Sequence, residues 1–465
     1  MVTPAAAASN TWPMAETRER LATWAARAQA RLRRAHAVAC FGKIEQVGAM
    51  LVVARLPHCA IGDLCELLAP NTAGDPVLAE VIGFDEHRTL LAPLGPTGGV
   101  ASDSQVRALG EPHCVRVGRH LLGAVLDGYG RVKRPGISPS LSSISSNDVI
   151  TVRVLAAAPC ATQRPPIDRH VVTGVRAVDA LLTLARGQRV GLFAGPGCGK
   201  STLLGAFARG IEADVIVLGL VGERGRELNE LIERELGPQL MRRTVLVCAT
   251  SDAPPMERAR AAHTATAIAE GFCTGGNHVL LLIDSLTRFA RAQREIGLAS
   301  NEPPGRLGYP PSVYCALPRL IERAGNRAGG AVTGIYTVLT ETEHADPIAD
   351  EARSLLDAHI VLSRKLAERG AFPAIDIVES LSRLMPAVAG GSHRRDAERA
   401  RMLLARHREL EWLIALGEYE PGHDAAADEA VARYPKLAEF IRQDLGALAP
   451  WEKTLEQLHV CVRGE

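Results

Sequence analysis

Lys200 and Ser201 stand directly behind a glycine-rich stretch, Gly195-Pro196-Gly197-Cys198-Gly199, and are followed by Thr202 and a segment with helical spacing. Upstream, residues 190–194 form a short apolar run of strand type. Strand, glycine-rich turn and helix start together make the context of a phosphate-binding P-loop. Glycines let backbone N–H groups turn inward around phosphate oxygens, and the helix N-terminus favours negative charge there. In that arrangement Lys200 reaches the terminal phosphates of a nucleotide and the Ser201 hydroxyl ligates Mg²⁺. The strict pattern has glycine where this chain has Ala194, but the glycines nearest the phosphates are kept. Pro196 and Cys198 fill variable positions, and Cys198 makes the loop a target for thiol reagents.

Two further segments end in side chains that complete such chemistry. Residues 279–283 are apolar and run into Asp284. Open α/β sheets place their ligands at the carboxyl ends of strands, so Asp284 is the candidate metal partner. Residues 215–221 form another apolar run, which leads into Gly222-Glu223-Arg224-Gly225-Arg226-Glu227. A carboxylate there can polarise an attacking water, which makes Glu223 the candidate general base and Arg224 a candidate for holding the γ-phosphate. The plainer readings are a buried strand that happens to end in Asp and a charged loop before a solvated helix.

These residues need a scaffold, and the chain of 465 residues is long enough for two or three domains. Apolar residues make up 47% of it, enough for substantial cores. The formal net charge is +1, which gives no global electrostatic case for nucleic acid or an acidic membrane as main partner. The ten cysteines show neither a C-x-x-C pair nor zinc spacing, and a reducing cytoplasm fits them best. No apolar run approaches the length of a membrane span, and no secretory signal is visible.

Residues 1–15 are rich in Ala, Pro and Ser and read as disordered, and 16–34 read as an Arg-rich helix. That helix is either an ordinary solvated one or a basic amphipathic segment that docks on a partner or an acidic lipid surface. Five short β-type runs between turn clusters make 36–110 a small β-barrel. Beyond it, strands are predicted at 190–194, 215–221, 244–249, 279–283, 332–339 and 374–378, with helices between them. This is an α/β pattern with a mainly parallel sheet covered on both faces. After Pro386 the chain becomes helical, at 393–418 and 425–446 with a short final piece. The expected division is thus 1–35, 36–110, 111–385 and 386–465: extension, barrel, nucleotide-binding domain and helical domain.

Several long motifs carry a family resemblance. GLFAGPGCGKST, GLVGERGRE, LLLIDSLTRFARAQREIGLA, RLGYPPSVYCALPRLIERAG, the upstream PPIDRHVVTGVRAVDALLTLARGQR and the stretch from TGIYTVLTETEHADP to AIDIVESLSRL closely resemble the ATPases of type III secretion and flagellar export systems. Those enzymes are related to the catalytic subunits of rotary ATP synthases. The resemblance covers roughly residues 36–446. It implies a RecA-like P-loop core between an N-terminal β-barrel and a C-terminal helical domain. It also implies a homohexameric ring, cytoplasmic and peripheral at the inner membrane, with ATP and Mg²⁺ between subunits. The partners it implies are a central stalk, stator proteins, chaperone–substrate complexes and the export gate at the membrane. Carried over by motif, Lys200 and Ser201 bind phosphate and Mg²⁺, Glu223 activates water, Asp284 supports the metal, and Arg224 and Arg288 lie near the γ-phosphate. Phe372, in ERGAFPAID, matches the aromatic that packs on adenine, and Arg383, in ESLSRL, the arginine given across the interface to a neighbour's ATP. Arg364 also matches a recurrent position, with its role open, and no role is derived for His263 or His278.

Three other functions share the fold: a flagellar export ATPase, a proton-translocating rotary subunit and a nucleic-acid translocase. The wording ETEHADPIADEARS and IDSLTRFARAQ fits the export group better than the rotary one. A translocase wants cations and aromatics in the barrel, where Phe41 and Phe84 are the only aromatics, so no nucleic-acid partner is expected. The injectisome is favoured slightly over the flagellum, on resemblance of wording alone.

Overall fold

The computed structural model of the chain describes residues 39–48, 50–68, 76–136, 149–340 and 346–463. The Arg-rich helix read at 16–34 lies outside the described residues, as does the segment 341–345 within ETEHADP.

Six antiparallel strands close a barrel in the order β1-β2-β5-β4-β3-β6: β1 (Phe41–Val47), β2 (Val52–Arg55), β3 (Asp63–Leu68), β4 (Val77–Asp85), β5 (Arg88–Pro93) and β6 (Gln105–Pro112). Alternate side chains turn inward, and Ile44, Val52, Cys65, Leu67, Val81 and Leu91 fill the interior. The sixth strand is absent from the five runs read in the sequence. Only Val106 is fully buried along it, so its alternation is weak, and it continues to Pro112, past residue 110.

The central sheet comprises β7 (Val125–Leu126), β8 (Val132–Arg134), β9 (Arg189–Ala194), β10 (Val215–Glu223), β11 (Thr244–Thr250), β12 (His278–Asp284), β13 (Gly330–Leu339), β14 (Ala358–Leu362) and β15 (Leu381–Ser382). Their order is β15-β14-β9-β13-β12-β10-β11-β7-β8, with Gly325–Arg327 as a further strand paired to β13. The strands from β14 to β7 are parallel, and the outer pairs are antiparallel. Helices cover both faces, so the inner strands are mostly apolar: every residue of β10 and of β12 is buried, with the charged Glu223 and Asp284 at their C-terminal ends. The main helices are α1 (Arg176–Leu181), α2 (Lys200–Gly210), α3 (Gly225–Glu230), α4 (Pro255–Thr274), α5 (Leu286–Ala299), α6 (Pro311–Ile321) and α7 (Pro347–Leu355).

The strand predicted at 374–378 does not form. The sheet takes β14 instead, and Ile375 makes only a single bridge to Leu362. Asp376 turns the chain away by accepting from the N–H groups of Val378 and Glu379, both at 3.1 Å.

Three helices end the chain: α8 (Gly391–Leu416), α9 (Ala425–Ile441) and α10 (Trp451–Arg463). Asp424 caps α9, accepting from Ala426 N–H at 2.9 Å. The helix predicted at 425–446 stops at Ile441. Gln443 is pulled into the central domain, where its N–H donates to the Phe372 carbonyl at 2.9 Å. Its side chain joins Arg176 N–H and the Gly174 carbonyl, each at 2.8 Å. Leu403, Leu437 and Leu458 share one core with Val178, Leu181 and Phe207, so the helical domain packs on the flank of the nucleotide-binding core.

Candidate active site

The P-loop leaves β9 at Ala194 and enters α2 at Lys200. Pro196 and Gly197 are exposed, Gly195 is half-buried and Cys198 is buried. Gly199 has φ 84°, in the left-handed region that a side chain resists. It is also where the loop meets Phe372: a Cβ at Gly199 would sit 3.7 Å from that ring. Ser201 and Thr202 follow on the exposed side of the first helical turn.

Three strand ends deliver the charged groups. Lys200 Nζ lies 2.7 Å from Asp284 Oδ1, at the end of β12, and 3.5 Å from Glu223 Oε1, at the end of β10. Thr337 on β13 donates its hydroxyl to Asp284 Oδ1 at 2.6 Å and fixes that carboxylate. Arg288 on α5 grips Glu223 with two bonds, Nε to Oε1 at 3.0 Å and Nη2 to Oε2 at 3.3 Å. Gly222 makes room for this contact, because it has φ 70° and a Cβ there would stand 3.0 Å from Arg288 Cδ. Lys200, Glu223, Asp284 and Arg288 therefore form one cluster, and Ser201 lines the same cavity as the two carboxylates.

Burial and charge set the protonation of this cluster. Desolvation, reinforced by Asp284, pushes the Glu223 carboxyl up to about 7 against the opposing pull of Lys200. Desolvation works against the Lys200 ammonium, but Asp284 and Glu223 outweigh it and its pKa is raised. Glu227, one helical turn on, hydrogen-bonds Glu223 and also favours its protonated form. A general base acts only when ionised, so kcat/KM is expected to fall about tenfold per pH unit below an apparent pKa near 7. For stability the sign is opposite. Between the ordinary value of 4.5 and about 7 the folded chain binds more protons than the unfolded one, so Glu223's contribution is lost as pH rises through that window. A kcat/KM profile that stays flat from about pH 6 to 8 would remove Glu223 from the base role.

The other sequence-predicted residues lie apart. Arg224 is exposed at the start of α3, and among the described residues no hydrogen bond or ion pair joins it to the cluster. Phe372 is 44% exposed and borders a cavity of about 480 Å³ whose other walls include Arg176, Arg442, Gln443 and Asp444. Arg383 is exposed just after the edge strand β15, its N–H bonded to the Asp357 carbonyl at 3.0 Å. Ser382 pairs with Ala358 and Ala358 with Val190, so Arg383 sits at the N-terminal end of β9. The P-loop leaves the other end of that strand, roughly 15 Å away at ~3.3 Å per residue.

Sequence reading missed Thr337, Glu227, Arg176 and Gln443. Thr337 is one of two threonines in an otherwise largely apolar strand, and only the sheet order puts it beside Asp284. Gln443 lies in a segment read as helix, and tertiary contacts alone turn it toward Phe372. His278 has a structural place: its ring nitrogens contact the Glu212 carbonyl at 2.9 Å and Thr333 Oγ1 at 2.8 Å. Arg364 pairs in solvent with Glu368 at 2.9 Å.

Comparison with known proteins agrees with this architecture. Residues 43–110 match the ATP synthase alpha/beta family β-barrel domain, 174–382 its nucleotide-binding domain, and 389–460 the T3SS EscN ATPase C-terminal domain. The fold and the P-loop site thus define an ATPase of the ATP synthase alpha/beta class. The chain is 52% identical to the type 3 secretion system ATPase of Pseudomonas syringae pv. syringae over 91% of its own length and 94% of the relative's. It is 43% identical to the flagellum-specific ATP synthase of Bacillus subtilis over 90% and 94%. The assembled ATPase EscN of enteropathogenic E. coli superposes with a TM-score of 0.83 at 44% identity, covering 90% of this chain and all of that one. EscN in complex with its central stalk EscO gives 0.80 at the same identity and coverage. The chain belongs to the type III secretion system ATPase family.

Proposed function

We propose that the chain hydrolyses Mg²⁺-ATP as a homohexameric ring, with each site completed by a neighbour's Arg383, and so drives chaperone release and substrate unfolding for protein export. The observation that carries this reading is a separation. Lys200, Glu223 and Asp284 converge within one subunit, whereas Arg383 stands exposed at the far end of β9.

Mg²⁺ in a nucleotide site needs only one or two protein oxygens beside phosphates and water, and Ser201 and Asp284, which line one cavity, would supply them. When bound, the cation neutralises charge on the β- and γ-phosphates. Lys200 Nζ pairs with Asp284 at 2.7 Å, so phosphate oxygens must compete with that carboxylate for the ammonium. Glu223, held in place by Arg288, accepts the proton of the attacking water. Phe372 and the cavity beside it suit the flat face of the base. Arg224, exposed one residue beyond Glu223, is kept as a candidate for the γ-phosphate.

The exposed apolar end of α8, with Trp412, Ile414 and Leu416, suits a stalk or chaperone–substrate partner. Among the described residues no helix is long and apolar enough to cross a membrane, and contact with stator and export gate would place the ring peripherally at the inner membrane. On the barrel's outer face Arg55 and Arg88 both pair with Glu45, at 2.9 and 3.1 Å, which disfavours a nucleic-acid groove. The preference for the injectisome over the flagellum rests on the higher identity to the secretion-system relative.

Light scattering should show single chains shifting to six-subunit particles on addition of Mg²⁺-ATP, with the rate per chain rising with protein concentration. A rate per chain that is independent of concentration, or strong stimulation by single-stranded RNA at physiological salt, would overturn the proposal.

A further inference from the structure

Between the barrel and the central domain lies a cavity of about 680 Å³, and none of the P-loop residues lines it. Its floor is α4, where Arg260 is nearly fully buried, with its side chain only 4% exposed. Arg260 Nη2 reaches Glu80 on β4 at 2.5 Å and Met256 Sδ at 3.9 Å. Its Nε and Nη1 have no partner among the described residues, although both are buried. A buried guanidinium normally spends its donors on carboxylate, carbonyl or phosphate oxygens, and leaving them unused is costly.

Two more guanidinium groups, Arg153 and Arg319, stand at the rim, both exposed and unpaired among the described residues. The acids on the wall are already engaged: Asp63 accepts from Ala60 N–H at 2.9 Å, and Glu80 holds Arg260. Burial keeps His113 and His263, also on the wall, below the usual histidine range, so they add no charge at neutral pH. Three fixed cations against two carboxylates leave a net positive pocket large enough for a small metabolite.

We propose that this inter-domain cavity is a binding site for a phosphate-bearing small anion, separate from the nucleotide site, with Arg260 at its floor and Arg153 and Arg319 at its mouth. Planar guanidinium forks suit phosphate oxygens, and a low-dielectric wall strengthens the contact. The shared chemistry is the phosphate group, either free or carried on an organic metabolite.

The test is calorimetric titration of the full chain with inorganic phosphate, pyrophosphate and a sugar phosphate, with the nucleotide site filled by a non-hydrolysable ATP analogue. Saturable binding below about 1 mM is expected, weakened at least about tenfold in R153A/R319A, whose changes lie on the exposed rim. E80Q/R260Q removes the buried ion pair as a unit, avoids a stranded charge, and should abolish binding. Equal affinity for inorganic phosphate and the sugar phosphate identifies a free-phosphate site, and a clear preference for the latter a phosphorylated metabolite. No saturable heat with any of the three probes, or binding that both double variants leave unchanged, overturns the proposal and leaves water as the occupant of the cavity.

Discussion

Arg383→Ala is expected to lower ATP turnover of the assembled protein by about 10³–10⁵-fold while ATP binding to the single subunit stays intact. A guanidinium offers planar, permanent charge to the equatorial oxygens of the transferring phosphoryl group. Arg383 cannot offer it to its own P-loop, because β15 places it beside the opposite end of β9. Its backbone is pinned to Asp357, whose carboxylate binds Arg189 at 3.1 Å, so the edge that presents it is firm. The loss should be recoverable by mixing. An Arg383→Ala subunit keeps Glu223, and a Glu223→Gln subunit keeps Arg383, so about a quarter of the junctions in a randomly mixed ring regain both groups. Recovered activity on mixing two inactive proteins is the signature of a shared site. No recovery in rings shown to be mixed would place the arginine's effect within one subunit.

Glu223→Gln is expected to retain nucleotide affinity and lose turnover by about 10²–10⁴-fold, the range for a general base. The amide keeps the size of the side chain and can still accept one bond from Arg288. It cannot take a proton. Loss in kcat with little change in nucleotide affinity marks an interaction made in the transition state. The raised pKa of Glu223 makes the pH profile a second reading of the same role, since the acid limb should vanish from the residual rate of the glutamine variant. A variant that turns over at the normal rate would show that the water is activated elsewhere, with Glu227, hydrogen-bonded to Glu223, the next carboxylate to test.

Much of the fold is legible in the chain because its physics is local. A parallel strand covered on both faces is apolar along most of its length, and residues 215–221 of β10 and 279–283 of β12 read that way without alternation. Segments 374–378 and 442–446 misread for the opposite reason. Their composition suits strand and helix, but Asp376 and Gln443 spend their hydrogen bonds on a turn and on a neighbouring domain. Resemblance singled out Phe372 and Arg383, and neither periodicity nor composition would have done so.

The residues around the P-loop divide in the same way. By itself the sequence determined the loop, its lysine and serine, and two carboxylates at strand ends, because each signal lies within about ten residues of chain. Only the tertiary structure decided that Arg288 holds Glu223, that Thr337 fixes Asp284 and that Gln443 helps to wall the cavity beside Phe372, since these partners lie far apart in sequence and meet through sheet order and domain packing. The same sheet order placed Arg383 out of reach of its own loop, because strands paired in register carry their two ends to opposite edges of the domain.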